Sequence, residues 1–120
     1  MNKFTNYKTE DLVLYFVDRS MEMKRADDNM DDNAYNAAEK KVRDIEGELK
    51  QRPGDGRHAL LPLLAHPNIQ VRLNAALATL ALSPEAEAAL RGIAPLGSSS
   101  QPFTARRMLA ALERGTYKPT

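Results

Sequence analysis

The sequence predicts an all-α fold of five to six helices, stacked as helical hairpins. Three observations carry that expectation. The stretch Arg57–Ala94, RHALLPLLAHPNIQVRLNAALATLALSPEAEAALRGIA, reads as three short helices joined by tight connections. The string R-x-x-A-A-L occurs twice, at Arg72/Ala75/Ala76/Leu77 and again at Arg107/Ala110/Ala111/Leu112. No segment shows the sustained alternation or β-branched enrichment expected of strands.

The elements follow in order. Residues 1–8 read as a loose lead-in. Thr9 is placed as an N-cap, with Glu10 and Asp11 in the first turn where the helix dipole favours anions. Leu12, Val13, Phe16, Val17 and Met21 then share one broad face, and this helix is expected to run to about Lys24. The polar segment Arg25–Asn33, RADDNMDDN, reads as a loop or frayed end. A second helix fits Ala34–Gln51, with Tyr35, Ala38, Val42, Ile45 and Leu49 as a narrow apolar stripe. Gly47 costs up to about 1 kcal/mol there relative to Ala; it either permits a close helix crossing or is simply tolerated.

Pro53-Gly54-Asp55-Gly56 is a strong break. A short apolar helix follows over about Arg57–Ala65, although Pro62 requires it to start near Leu61 or to bend. His66-Pro67-Asn68 ends it, and Asn68 is placed to cap a helix over Ile69–Ala81. Ser83-Pro84, a cap and a first-turn proline, starts another that runs to about Ala94. Residues 95–101, PLGSSSQ, read as a flexible loop. The last helix is expected over Pro102–Arg114, with Phe103, Met108, Leu109 and Leu112 inward and Gly115 just past its end.

At 120 residues the chain is expected to form one domain, 1–120, able to bury roughly 65% of its unfolded surface. An apolar fraction of 42% and a charged fraction of 28% are those of an ordinary water-soluble protein. Net charge is +1, so no global field steers nucleic acid or membrane. Residues 1–60 hold 11 Lys/Arg and 13 Asp/Glu, and residues 61–120 hold 6 and 3, a polarity too slight to name a partner class. The absence of cysteine excludes disulfides, a thiolate nucleophile and a Cys-based zinc site. No apolar run approaches the roughly 20 residues of a membrane span. The N-terminal residues lack an apolar signal core. A cytoplasmic location is expected.

The search for chemistry returns little. Asp27, Asp28, Asp31 and Asp32 resemble a calcium loop only superficially: counted from Asp27, Asp32 and Ala38 stand where an EF-hand needs Gly and Glu. A solvated turn with capping aspartates is the preferred reading. His58 and His66 have no zinc-ligand spacing, and RPGDGR lacks the Lys-Ser/Thr ending of a phosphate loop. No metal, cofactor or catalytic residue is expected. Arg91, Arg106 and Arg107, with Arg114 and Lys118, form a possible basic patch. The chain has no Trp and only 6% aromatic residues for base stacking, which makes nucleic acid the weaker partner reading.

Arg57–Leu82 and Pro84–Arg114 can be read as consecutive hairpins. Helix pairs that cannot bury their faces alone must stack on neighbours; an all-α bundle without true repeats is the alternative. The pattern His66-Pro67-Asn68-x-x-Val71-Arg72-x-x-Ala75-Ala76-x-x-x-Leu80 resembles a HEAT repeat, in which a proline-containing turn precedes a helix with Val-Arg and small residues. By that resemblance Arg72 braces loop carbonyls, a structural role shared with Asn68. Asn68 stands where the family's turn often holds an acidic residue.

Three stretches taken together, LVLYFVDRSMEM, LKQRPGDGRHALLPLLAHPNIQVRLNAALATLALSPEAEAALRGIA and ALERGTYKP, resemble a small bacterial HEAT-like family known only as a domain of unknown function. The resemblance implies a short HEAT/ARM-like α-α superhelix. Some relatives are immunity proteins encoded beside secreted toxins. The expected function is therefore a non-enzymatic protein-interaction module, with another protein, such as a toxin, as partner. A nucleic-acid-binding helical repeat is the alternative. Self-association is open, because the end of a stack exposes an apolar face.

Overall fold

The computed structural model describes residues 4–120, so the first three residues of the expected lead-in lie outside the described residues. Every regular element among the described residues is helical. Five α-helices occur: α1 (Thr9–Asp28), α2 (Asp32–Gln51), α3 (Ile69–Thr79), α4 (Pro84–Ile93) and α5 (Ser100–Arg114). A 3₁₀ segment, Gly56–Ala65, lies between α2 and α3. By their contacts the residues group into two compact units, 1–60 and 61–120.

In the first unit α1 packs against α2 as an αα-hairpin. The buried residues of α2 are Ala38, Val42, Ile45, Glu48 and Leu49, which reproduces the apolar stripe of the sequence. Those of α1 are Leu12, Phe16, Ser20, Met23 and Ala26. Val13, Val17 and Met21, expected on the same face, are only half-buried at its edge. The described lead-in is not loose. Phe4 is buried, and Arg52 reaches back from the end of α2 to donate to Phe4 O at 3.2 Å and Thr9 Oγ1 at 3.1 Å. Thr9 is accordingly inside α1, after Lys8, and caps nothing.

The helix α1 runs one turn further than its sequence suggests. It ends in a Schellman-type motif, with Met30 N–H on Asp27 O at 3.1 Å and Asp31 N–H on Ala26 O at 2.8 Å. Met30 occupies the left-handed position of that motif at φ 55°, where glycine is the usual residue. The missing glycine hid the stop. Asp31 then caps α2 by accepting from Ala34 N at 3.0 Å. At the end of α5 the same motif carries its expected residue, Gly115 at φ 72°, with Thr116 N–H on Ala111 O at 3.0 Å.

Pro62 explains the 3₁₀ segment. An α-helix through it would lose a donor and press the ring on the carbonyl of residue 58; the tighter spiral accommodates it. Gly56 begins this segment against the end of α2, where an added Cβ would lie 2.8 Å from Leu49 O. Gly47, by contrast, has open space at its Cβ position, so no close crossing requires it.

In the second unit α4 packs on α3 and α5, which also meet each other. Leu73, Ala76, Leu90, Ile93 and Ala105 form the buried cluster, flanked by Leu64, Ile69, Leu77, Leu80, Met108 and Leu109. Phe103, expected inward, is 52% exposed. The start of α5 is buried instead through Gln101, Pro102 and Ala105. The expected flexible loop over residues 95–101 is correspondingly shorter, since Ser100 and Gln101 are already helical. The two R-x-x-A-A-L strings also differ in setting: Ala75 and Ala76 are buried, whereas Ala110 and Ala111 are half-exposed.

Two substitutions test these local assignments in opposite directions. Met30→Gly should stabilise the chain by about 1 kcal/mol, because it relieves a left-handed side-chain conformation. Gly56→Ala should destabilise it by about 1–3 kcal/mol, because the new methyl meets a backbone carbonyl. Urea unfolding midpoints measure both.

Candidate functional site

The turn before α3 places both sequence-selected structural residues together. Asn68 Oδ1 accepts from Gln70 N at 2.9 Å and Val71 N at 3.3 Å, which caps the helix. His66 Nδ1 accepts from Asn68 N at 3.0 Å. Arg72 Nη1 donates to His66 O at 2.9 Å and Pro67 O at 3.1 Å. One turn of helix below, Gln101 Nε2 donates to Gln70 Oε1 at 3.0 Å and Gln70 Nε2 to Asn74 Oδ1 at 2.9 Å. These three buried amides tie α5 to α3. The whole assembly holds structure in place.

Arginine performs the same service elsewhere. Asp55 sits at φ 61°, and its carboxylate grips the buried Arg57, with Oδ1 on Nε at 2.9 Å and Oδ2 on Nη2 at 2.7 Å. The Arg57 hydrogen bond holds the Asp55 carboxyl below its usual range. Buried Glu48 accepts from Arg52 Nε at 2.9 Å and Gln51 Nε2 at 2.7 Å. Tyr35 is shifted as well: desolvation, then the Glu39 and Asp27 charges, push its phenol up, so it stays neutral.

The possible basic patch is not one surface of free cations. Arg91 pairs with Glu87 at 2.8 Å. Arg106 Nη1 donates to Ala94 O at 2.7 Å and Gly97 O at 2.8 Å, closing the α4–α5 connection. Arg107 lies over the exposed Phe103 ring, 5.8 Å from its centroid. The structural counterpart of Arg72 is thus Arg106, one residue before the arginine that the sequence repeat selects. Of the four clustered aspartates, Asp31 caps α2 and Asp28 pairs with Lys24. Among the described residues no group of three or more His, Asp or Glu side chains could hold a metal ion.

Each unit carries an open cleft. In the second unit a cleft of about 580 Å³ is bordered by residues 80–84, Glu87, Leu112 and the tail residues Tyr117 and Lys118. In the first unit Tyr7, Asp11, Leu14, Tyr15 and Asp18 border a cleft of about 410 Å³. The last four recur at i, i+3, i+4 and i+7, so they form one stripe on α1, away from its buried face. Leu14 is 64% exposed at the centre of that stripe. The Tyr7 ring packs beside Tyr15, centroids 5.5 Å apart, and Phe4 meets Tyr7 edge-on at 5.6 Å. Sequence reading passed over this stripe. Its signal was present: Leu14 and Tyr15 are apolar residues left over once the core face of α1 is assigned.

Removal of the two neighbouring arginines should separate their roles. Arg106→Ala should lower stability by about 0.5–1.5 kcal/mol, since two carbonyls lose their donor, whereas Arg107→Ala should leave it unchanged within about 0.5 kcal/mol. Asp55 supplies a pH signature. Its folded pKa is depressed, so its stabilisation is complete above the unfolded value and fades as pH falls through the lowered folded value. Asp55→Asn should cost about 1–3 kcal/mol at neutral pH and should remove the part of the acid-induced stability loss that occurs below about pH 4. Chemical unfolding at pH 7 and across pH 2–5 reads both effects.

Comparison with known proteins adds a fold and a family. The crystal structure of the protein RPA1889 from Rhodopseudomonas palustris CGA009 is similar over 98% of each chain, at 36% identity and a TM-score of 0.95. No curated protein matches the chain. The profile of one family, Domain of unknown function (DUF2019), matches residues 10–113. That match spans most of the sequence, both hairpin-forming α1 and α2 and the three helices α3–α5, and on it this chain belongs to the DUF2019 family.

Proposed function

We propose that the protein acts by binding another protein, without catalysis, through surfaces carried on HEAT-like helical hairpins, in the cytoplasm. The exposed stripe on α1 is the observation that carries this reading. An apolar pair flanked by carboxylates, left on the outside of a helix whose other face is fully buried, is a costly arrangement for a monomer's surface. Such grouped apolar side chains mark interaction sites more often than scattered ones do. The polar groups of the interior add support of a different kind. The buried amides Gln70, Asn74 and Gln101 bond to one another, and the charges of Glu48, Arg57 and Asp55 are matched nearby. Groups so committed hold a scaffold. No helix among the described residues is long and apolar enough to cross a membrane.

A toxin is the partner class that the HEAT-like resemblance suggests, and neutralisation would then proceed by covering the toxin's working surface. The nucleic-acid reading draws less support, because Arg91 and Arg106 are engaged with Glu87 and with backbone carbonyls. Affinity capture from native lysate with the full chain tests the proposal. The expected result is one protein retained in near-stoichiometric amount after nuclease treatment. If that protein is a toxin, co-expression with this chain should restore growth. Recovery of nucleic acid alone, or turnover of a substrate by the purified chain, would overturn the reading.

A further inference from the structure

We propose that the outward face of α1 docks a basic amphipathic helix of a partner protein. Two arginines of that helix, two turns apart, would meet Asp11 and Asp18, and its apolar centre would cover Leu14 and Tyr15. The inference rests on the protein-binding reading above and gives that reading a surface and a partner chemistry.

The spacing is the first argument. Asp11 and Asp18 are seven residues apart on one helix, hence about 10 Å apart along it. The same separation, with the same side, is reproduced by residues i and i+7 of a second helix. An extended strand matches it poorly, because same-side residues recur there only every second position, about 7 Å apart. Leu14 and Tyr15 fill the interval as a ridge that a facing helix can straddle.

Charge is the second argument. Among the described residues neither Asp11 nor Asp18 has an ion-pair partner, whereas the later part of α1 neutralises itself through Arg19–Glu22 and Lys24–Asp28. Asp11 lies in the first turn, where it also favours the helix dipole. Asp18 is in the middle of the helix and has no such service to perform. The aromatic rings complete the chemistry. Tyr7 and Tyr15 line one cleft with these carboxylates, and a guanidinium can stack on a phenol ring while it bonds a carboxylate with its fork.

The same features argue against other occupants. Two-fold pairing of this stripe with a second copy would set aspartate against aspartate. Phosphate-rich surfaces, lipid or nucleic acid, would meet two carboxylates and no free cation in the stripe.

A helical peptide of about twenty residues tests the proposal, alanine-rich so that it forms a helix alone. It carries Arg at two positions seven apart and Leu at the third and fourth positions between them. Its control carries Glu in place of Arg. Titration into the full chain, followed by amide chemical shifts, should move Tyr7, Asp11, Leu14, Tyr15 and Asp18 with the Arg peptide and leave them still with the Glu peptide. The double variant Asp11→Asn plus Asp18→Asn should bind roughly two- to twenty-fivefold more weakly, since each exposed ion pair is worth a factor of roughly 1.5 to 5. Its far-UV spectrum should be unchanged, because both side chains are exposed. Equal binding of the Glu peptide, or shifts confined to another face, would overturn the proposal. So would a dimer of the free chain that Leu14→Ser plus Tyr15→Ser dissociates. If lysate capture yields a protein whose retention is indifferent to Leu14→Ser plus Tyr15→Ser, this surface is wrong while the protein-binding reading survives.

Discussion

The structure depends on one recurring constraint: the carbonyl groups at its short connections need donors, and arginine supplies them. A helix leaves its last carbonyls without internal partners, and the turns here are too tight to offer enough N–H groups of their own. Arg72 closes the turn before α3 on His66 O and Pro67 O. Arg106 closes the turn before α5 on Ala94 O and Gly97 O. Arg52 fastens the lead-in through Phe4 O. Arginine suits the task because its planar fork can serve several acceptors from one side chain and does not lose its charge. The consequence reaches function. A guanidinium tied to backbone carbonyls keeps its charge, but its orientation and part of its donor set are already committed, so it is less available to grip a phosphate than a count of arginines suggests.

The buried amides do something arginine cannot. Gln101 to Gln70 to Asn74 is a chain of directional bonds within an otherwise aliphatic unit. Leucines in their places would bury more apolar surface, and they would accept several sliding positions of α5 on α3. Amides accept only the one in which each donor finds its acceptor, because an unmatched buried amide costs roughly 1–3 kcal/mol. The network therefore sets register more than it adds stability. It also accounts for the inversion at the start of α5. Once Gln101 is drawn inward, helical geometry turns Phe103 outward, two residues and about 200° away.

Much of this was legible in the chain. The stripe of α2, the Asn68 and Ser83 caps and the Gly115 stop each have a local chemical cause, and local causes are written in adjacent residues. The all-helical class followed from them. The failures share another cause. The end of α1 carries no local stop signal, because Met30 stands in a left-handed position where glycine is the usual residue. Thr9 has the side chain of a cap, yet its hydroxyl serves a guanidinium 43 residues away. Phe103 was placed inward by its hydrophobicity, when a glutamine in a long-range network had already fixed the helix rotation. The repeat pointed to Arg107, but only the path of the α4–α5 connection decides which arginine can reach its carbonyls. Errors thus fall where a distant contact overrides a local preference.

The face of α1 illustrates the converse, a feature that local pattern contains and that the usual question conceals. Reading a helix for its core means finding one apolar stripe and assigning every other position to solvent. The helix α1 carries two. Leu12, Phe16 and Met23 satisfy the search, and Leu14 and Tyr15 then pass as incidental. Incidental exposure would scatter such residues among charges of both signs. Here they are adjacent, aromatic support comes from Tyr7, and the charges at either end are both negative. Beyond the contribution of Asp11 to the first turn of α1 and the packing of Tyr15 beside Tyr7, that order serves no contact among the described residues of the fold. Solubility would be served as well by lysine and glutamate mixed. On the reading proposed above, that order is a template of defined spacing and defined sign for a second molecule.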